Sequence, residues 1–239
     1  MDKSQVGPGG LTEEERDEVL KELRENFALK LDHSAICTNS LNELGYVFLR
    51  ALTGGEAKYR APDVAGDDPD ARSSMKTLAV AMADTDEHPD AAYLAPVEGI
   101  DGEVQSQVNH FIEMAGEGYQ HIALRIEGDS IERYRELTEK IGVNYITPIL
   151  YDDNSNLLQM FTGSLFRSSN PAAGPFIEIN QRLDMSDKDR QHFNHQTVQG
   201  LYSNIEELQQ NDEQTWIIDF DAIPDDWDAL DGDSDNLDD

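Results

Sequence analysis

Apolar and polar positions along this chain fall into two successive, similar orders. From Leu11, the stretch LTEEERDEVLKELRENFAL places Leu20, Leu23 and Phe27 at helical spacing behind Thr12 as N-cap and a first turn of acids. That pattern predicts an amphipathic helix over 11–28. LKLDHSAICT (29–38) reads as a strand, and SLNELGYVFLRALTGG (40–55) as a helix stopped by Gly54 and Gly55. RAPDVAGDDPDARSS has the composition of an exposed loop. Two strands are predicted after it, MKTLAVAMA (75–83) and AAYLAPV (91–97).

The order then recurs. EVQSQVNHFIEMA (103–115) has helical periodicity and is followed by the stop signals Gly116 and Gly118. YQHIALRI reads as a strand, and DSIERYRELTEKIG (129–142) as a helix capped by Asp129. YITPILYD, NLLQMFTG and GPFIEINQRL read as three strands. Both halves therefore run strand, helix, then two or three strands, which is a duplication at the level of topology. The expected fold is α+β: paired βαβββ modules forming an open, curved, mixed sheet, with a helix at each end.

The expected boundaries are a disordered lead-in (1–10), the N-terminal helix (11–28) and the first module (29–100). The linking helix and second module follow (101–184), then a C-terminal helix (185–211) and a solvated acidic tail (212–239). That helix carries Phe193, Val198, Leu201, Tyr202 and Ile205 as apolar spots. Phe193, Val198 and Tyr202 would face inward if it acts as a lid.

Charge narrows the partners. The 239 residues hold 49 acidic and 18 basic side chains, a net charge of −31. Such a surface argues against nucleic acid and anionic membranes. No run approaches the ~18 apolar residues of a membrane span, and MDKSQVGPGG lacks the basic-then-apolar pattern of a secretion signal. A cytoplasmic protein is expected. Acids spread along the whole chain suit a halophilic cytosol, where multimolar salt screens self-repulsion. The single cysteine, Cys37, offers neither a disulfide nor a thiolate cluster, so any metal must be held by His, Asp or Glu.

His33 and His121 each stand in the first strand of a half. Modules related by a pseudo-twofold axis would set those strands side by side, with both imidazoles turned into one cavity. Glu178 is the only acid in its otherwise apolar strand, and alternation puts it on one face with Phe176 and Asn180. Two neutral imidazoles and a carboxylate make the facial triad that suits non-haem Fe(II). The other histidines are placed less well. His192 and His195 fall on a solvated helix face, His110 on the helix before a turn, and His88 in an acidic loop.

These residues carry a resemblance. Asp32–His33, the SQV of Ser106 to Val108, GEGYQHIAL from Gly116, LLQMFT from Leu157, FIEINQR from Phe176 and the later LYSNIE stand in one order. In that order the chain resembles the metal-binding, C-terminal half of 4-hydroxyphenylpyruvate dioxygenase, of the vicinal oxygen chelate superfamily. The resemblance implies Fe(II) as cofactor, with His33, His121 and Glu178 as its ligands. It also implies Gln107, Gln120 and Gln159 as pocket amides, with Phe161 and Phe176 as aromatic walls. The reaction implied is decarboxylation and hydroxylation of a small-molecule 2-oxo acid by dioxygen. The family's Pro-Leu-Asn segment stands here as Pro96-Val97-Glu98, which implies an acid where the family has a pocket amide. Edge strands of such sheets often pair, so a homodimer is the expected assembly.

Overall fold

A computed structural model gives the fold and describes residues 8–53, 57–66, 71–88, 91–152, 157–167, 174–183 and 215–223. The predicted lid helix with Phe193, Val198 and Tyr202 lies outside the described residues, as do His192, His195, Gly54 and Gly55. So does the lead-in up to residue 7. Residues Pro8–Gly10 form a short 3-10 turn, so this end of the expected disordered lead-in has a defined conformation.

The N-terminal helix α1 (Glu13–Asn26) is set by Thr12, whose hydroxyl accepts from the Glu15 amide while Glu15 reaches back to the Thr12 backbone. This reciprocal cap satisfies two amides that the helix itself cannot. The first half continues with β1 (Phe27–Cys37), α2 (Leu41–Tyr46) running into a π-helical turn (Val47–Leu52), β2 (Ala57–Ala61), β3 (Ser74–Ala81) and β4 (Tyr93–Ile100). Helix α3 (Gln107–Ala115), N-capped by Ser106, leads into the second half. That half holds β5 (Gly118–Gly128), α4 (Ile131–Lys140), β6 (Leu150–Asp152), β7 (Leu157–Ser164) and β8 (Phe176–Arg182).

The eight strands among the described residues join one sheet in the order β2-β3-β4-β1-β5-β8-β7-β6. Each half repeats one plan. Its first strand lies at the centre and pairs in parallel with its last, β1 with β4 and β5 with β8. The two first strands pair with each other, antiparallel. Alternation decides which residues meet the helices. Ile36, Leu78 and Val80 pack with Leu41 and Phe48 under α2. Ile126, Met160 and Ile179 pack with Ile131 under α4. The opposite face of the central strands is left for the site. Cys37 lies in a third apolar cluster with Val97, Val108 and Phe111, and burial pushes its thiol pKa up, so it holds no reactive thiolate.

Several expectations need correction. The stretch starting at Arg60 is not wholly loop: Ala57–Ala61 is an edge strand paired with β3, which completes three strands after α2. Helix α4 is capped by Ser130, whose hydroxyl accepts from the Arg133 amide, while Asp129 accepts from the Ser130 amide. Of YITPILYD only Leu150–Asp152 is strand, although Tyr145 bridges to Thr162. In the expected solvated tail, residues 215–217 bond to the end of β7, with Trp216 bridging to Ser164.

Candidate metal centre

Strand register builds the site. His33 on β1 pairs with Ala123 on β5, and Ala123 pairs with Glu178 on β8, so the three form one row across three strands. In the next row, Ala35, His121 and Phe176 stand side by side. His33 and Glu178 thus flank a methyl group, and His121 closes the third side.

The ligand atoms converge as the sequence predicts. His33 Nε2 lies 3.3 Å from His121 Nε2. Glu178 Oε2 lies 3.5 Å from the first nitrogen and 3.7 Å from the second. The point equidistant from all three is about 2.0 Å from each, the length of a bond from imidazole nitrogen or carboxylate oxygen to a first-row divalent ion. Glu178 is 1% exposed, and its Oε2 has no hydrogen-bond partner. A buried carboxylate oxygen without a hydrogen bond is costly, and a cation at the shared point would complete it. The donor set and its spacing therefore fit a metal ion.

Two bulges aim the histidines. Along β1 the pairing steps from Leu31–Leu124 to His33–Ala123, which leaves Asp32 as the extra residue. Along β5 it steps from Ala35–His121 to Ile36–Tyr119, which leaves Gln120 as the extra residue. Each extra residue turns back to the histidine after it: Asp32 Oδ1 lies 3.0 Å from His33 Nδ1, and Gln120 Oε1 lies 3.3 Å from His121 Nδ1. Nδ1 is thus occupied on both rings, and both Nε2 atoms turn toward the shared point, as metal-ligating histidines do. Asn180 does the same for the carboxylate, donating to Glu178 Oε1 at 2.9 Å.

Electrostatics follow from burial and charge. Burial, with the nearby His33, holds the His121 pKa well below the ordinary imidazole value, so its lone pair is available. Burial works the same way on His33, but the Glu178 and Asp32 carboxylates outweigh it and leave that pKa raised. Burial also raises the Glu178 pKa, against the pull of His33 and Asn180. Asp32 is ionised: burial opposes its charge, yet the Arg182 guanidinium and His33 hold its carboxyl well below the usual range.

The residues that the resemblance implies for a pocket lie beside the triad. Gln120 donates to Gln107 Oε1, joining β5 to α3. Phe176 stacks on the His121 ring at 5.1 Å, and Phe161 meets Phe176 edge-on at 5.9 Å. Gln159 pairs with Asn180 and shares its buried face. His110 and His88 do not join the cluster, and His88 is exposed. Glu98 also departs from expectation. It lies on the helix-covered face, where it accepts from the Leu41 amide and pairs with Lys76. Sequence reasoning missed Ala123, Arg125 and Arg182. The two arginines stand four residues beyond His121 and Glu178, a spacing that strand alternation could have flagged.

With this geometry, eight strands and paired βαβββ modules, the chain has the fold of the vicinal oxygen chelate enzymes. No family model matches the chain, and no curated protein does. A triple mutant of 4-hydroxymandelate synthase from Streptomyces coelicolor is similar with a TM-score of 0.56 and 21% identity, over 75% of this chain and 54% of that one. The chain thus spans about half the length of that protein. A hypothetical protein from Bacillus halodurans gives a TM-score of 0.45 at 19% identity, over 67% of this chain and 99% of that one. A methylmalonyl-CoA epimerase from Streptomyces coelicolor gives 0.42 at 19%, over 65% and 98%. At 21% identity the likeness to the synthase is one of fold. No helix among the described residues is long and apolar enough to cross a membrane.

Proposed function

We propose that the chain is a non-haem Fe(II)-dependent dioxygenase that decarboxylates and hydroxylates a 2-oxo acid, similar in kind to 4-hydroxyphenylpyruvate dioxygenase. The observation that carries this reading is the convergence of His33 Nε2, His121 Nε2 and Glu178 Oε2 from three adjacent strands onto one point. His33, His121 and Glu178 would hold Fe(II), which would supply the oxidative chemistry for a 2-oxo acid and dioxygen.

The chain's own residues prepare that chemistry. His121 is held neutral, and Asn180 fixes Glu178 so that a single oxygen faces the centre. Phe161 and Phe176 form an apolar wall against the His121 ring, which excludes water and offers a flat surface to the substrate. Gln120 divides its amide, donating to Gln107 and accepting at His121. Gln107, Gln120 and Gln159 orient polar groups of the substrate without adding charge beside the metal.

The test is oxygen uptake by anaerobically prepared protein loaded with Fe(II) and offered aromatic and aliphatic 2-oxo acids. Uptake coupled to release of carbon dioxide, and abolished by His121→Ala, is expected. Stoichiometric iron with no uptake on any oxo acid would redirect the reading to another metal reaction, such as catechol ring cleavage. No bound iron would leave a carrier of small ligands.

A further inference from the structure

Each of the three strands that supplies a metal ligand also supplies one charged residue to a buried cluster beside the site. On β1 it is Asp32, next to His33. On β5 it is Arg125, four residues beyond His121 and on the same face. On β8 it is Arg182, four residues beyond Glu178 and again on the same face. Arg182 grips Asp32 with both arms of its fork, Nε to Oδ2 and Nη2 to Oδ1, each at 3.1 Å. Arg125 Nη1 approaches Asp32 Oδ2 at 3.8 Å. All three side chains are buried, at 7% exposure or less. Charges alternate from the surface inward: Lys30 pairs with Glu127, Glu127 with Arg125, Arg125 with Asp32, and Asp32 meets His33 Nδ1.

A buried cluster of this kind is a weak source of net stability, because desolvating the charges consumes most of what their attraction returns. What it fixes is geometry. A fork-to-carboxylate contact tolerates little sliding, and a one-residue slip in any of the three strands would turn its ligand to the other face. Asp32 is also the bulged residue, so the grip that ties the strands is the same one that turns the His33 ring.

We propose that Asp32, Arg125 and Arg182 form a positioning clasp. It locks β1, β5 and β8 in register and thereby pre-shapes the His33–His121–Glu178 centre. Arg182 and Arg125 position the centre through their contacts with Asp32, without touching the ligand atoms. The inference rests on the reading of those three residues as a metal site.

The test uses cobalt(II) as a spectroscopic probe in the full chain, with affinity measured by chelator competition and ligand geometry by the visible absorption bands. Asp32→Asn keeps the side-chain shape and removes the charge. It is expected to weaken cobalt binding about 10- to 100-fold and to change the bands. Arg182→Gln is expected to weaken binding in the same direction. The double variant Asp32→Asn, Arg182→Gln is expected to be no weaker than Asp32→Asn alone, because both act through one contact. Should Arg182→Gln fail to fold, Arg182→Lys keeps the charge and removes the fork, and is expected to weaken binding too. Wild-type affinity and unchanged bands in Asp32→Asn would overturn the clasp while leaving the metal site standing. Additive losses in the double variant would overturn the shared route through Asp32. Failure of the wild-type chain to bind one cobalt would overturn the metal reading, and the clasp with it.

Discussion

Asp32 and Gln120 hold equivalent places in the two halves: each is the extra residue of a β-bulge immediately before a ligand histidine, and each meets that ring's Nδ1. The equivalence is geometric, but the chemistry differs. One partner is an ionised carboxylate in a cluster of guanidiniums, the other a neutral amide. An anionic partner polarises an imidazole more strongly than an amide does. Gln120→Ala is therefore expected to weaken metal binding by less than tenfold, and Asp32→Asn by more. Competition titrations on the two variants check the order.

Ala123 is the floor of the centre. It stands between His33 and Glu178 in their shared row and is fully buried. Ala123→Leu would place three more carbons where the ligand atoms converge, at an overpacking cost of about 1–3 kcal/mol. The expected result is a folded chain by circular dichroism, with a modestly lower melting temperature and no stoichiometric metal. Full metal binding by that variant would contradict the row geometry.

Metal binding should also depend on pH with a definite sign. His33 holds its proton above the ordinary imidazole value of 6.5, because the Glu178 and Asp32 carboxylates outweigh its burial. A metal ion must displace that proton. Affinity should accordingly fall, by about tenfold per unit, as pH drops below the raised His33 value, and level off above it. Affinity measured from slightly alkaline to mildly acidic pH checks this. A flat profile across the range would contradict it.

Net charge makes a prediction that is independent of the site. With a charge of −31, self-repulsion opposes folding at low ionic strength. Unfolding followed by circular dichroism should show marked stabilisation from low to multimolar KCl. An unchanged midpoint would count against a halophilic design.

The convergence of His33, His121 and Glu178 could be read from the sequence because the three obey rules that act along the chain. His33 and His121 begin matching halves, and Glu178 breaks an apolar strand at an inward position. Other features depend on pairing, which local sequence does not encode. The bulges at Asp32 and Gln120 exist only relative to the strand opposite. Strand β2 was hidden because KYRA is a half-exposed edge segment that runs into a polar loop, with Lys58 and Arg60 alternating outward. Glu98 was expected among pocket residues from its place in a motif. Strand alternation sends it instead to the face under α2, where Lys76 and the Leu41 amide hold it.

The most direct measurement is the stoichiometry of Fe(II) bound anaerobically by the wild-type chain, His121→Ala and Glu178→Ala, each checked for folding by circular dichroism. One tightly held iron per wild-type chain, lost in both folded variants, is the predicted result. Iron that binds equally well without His121 or Glu178 would contradict a centre built from these three residues.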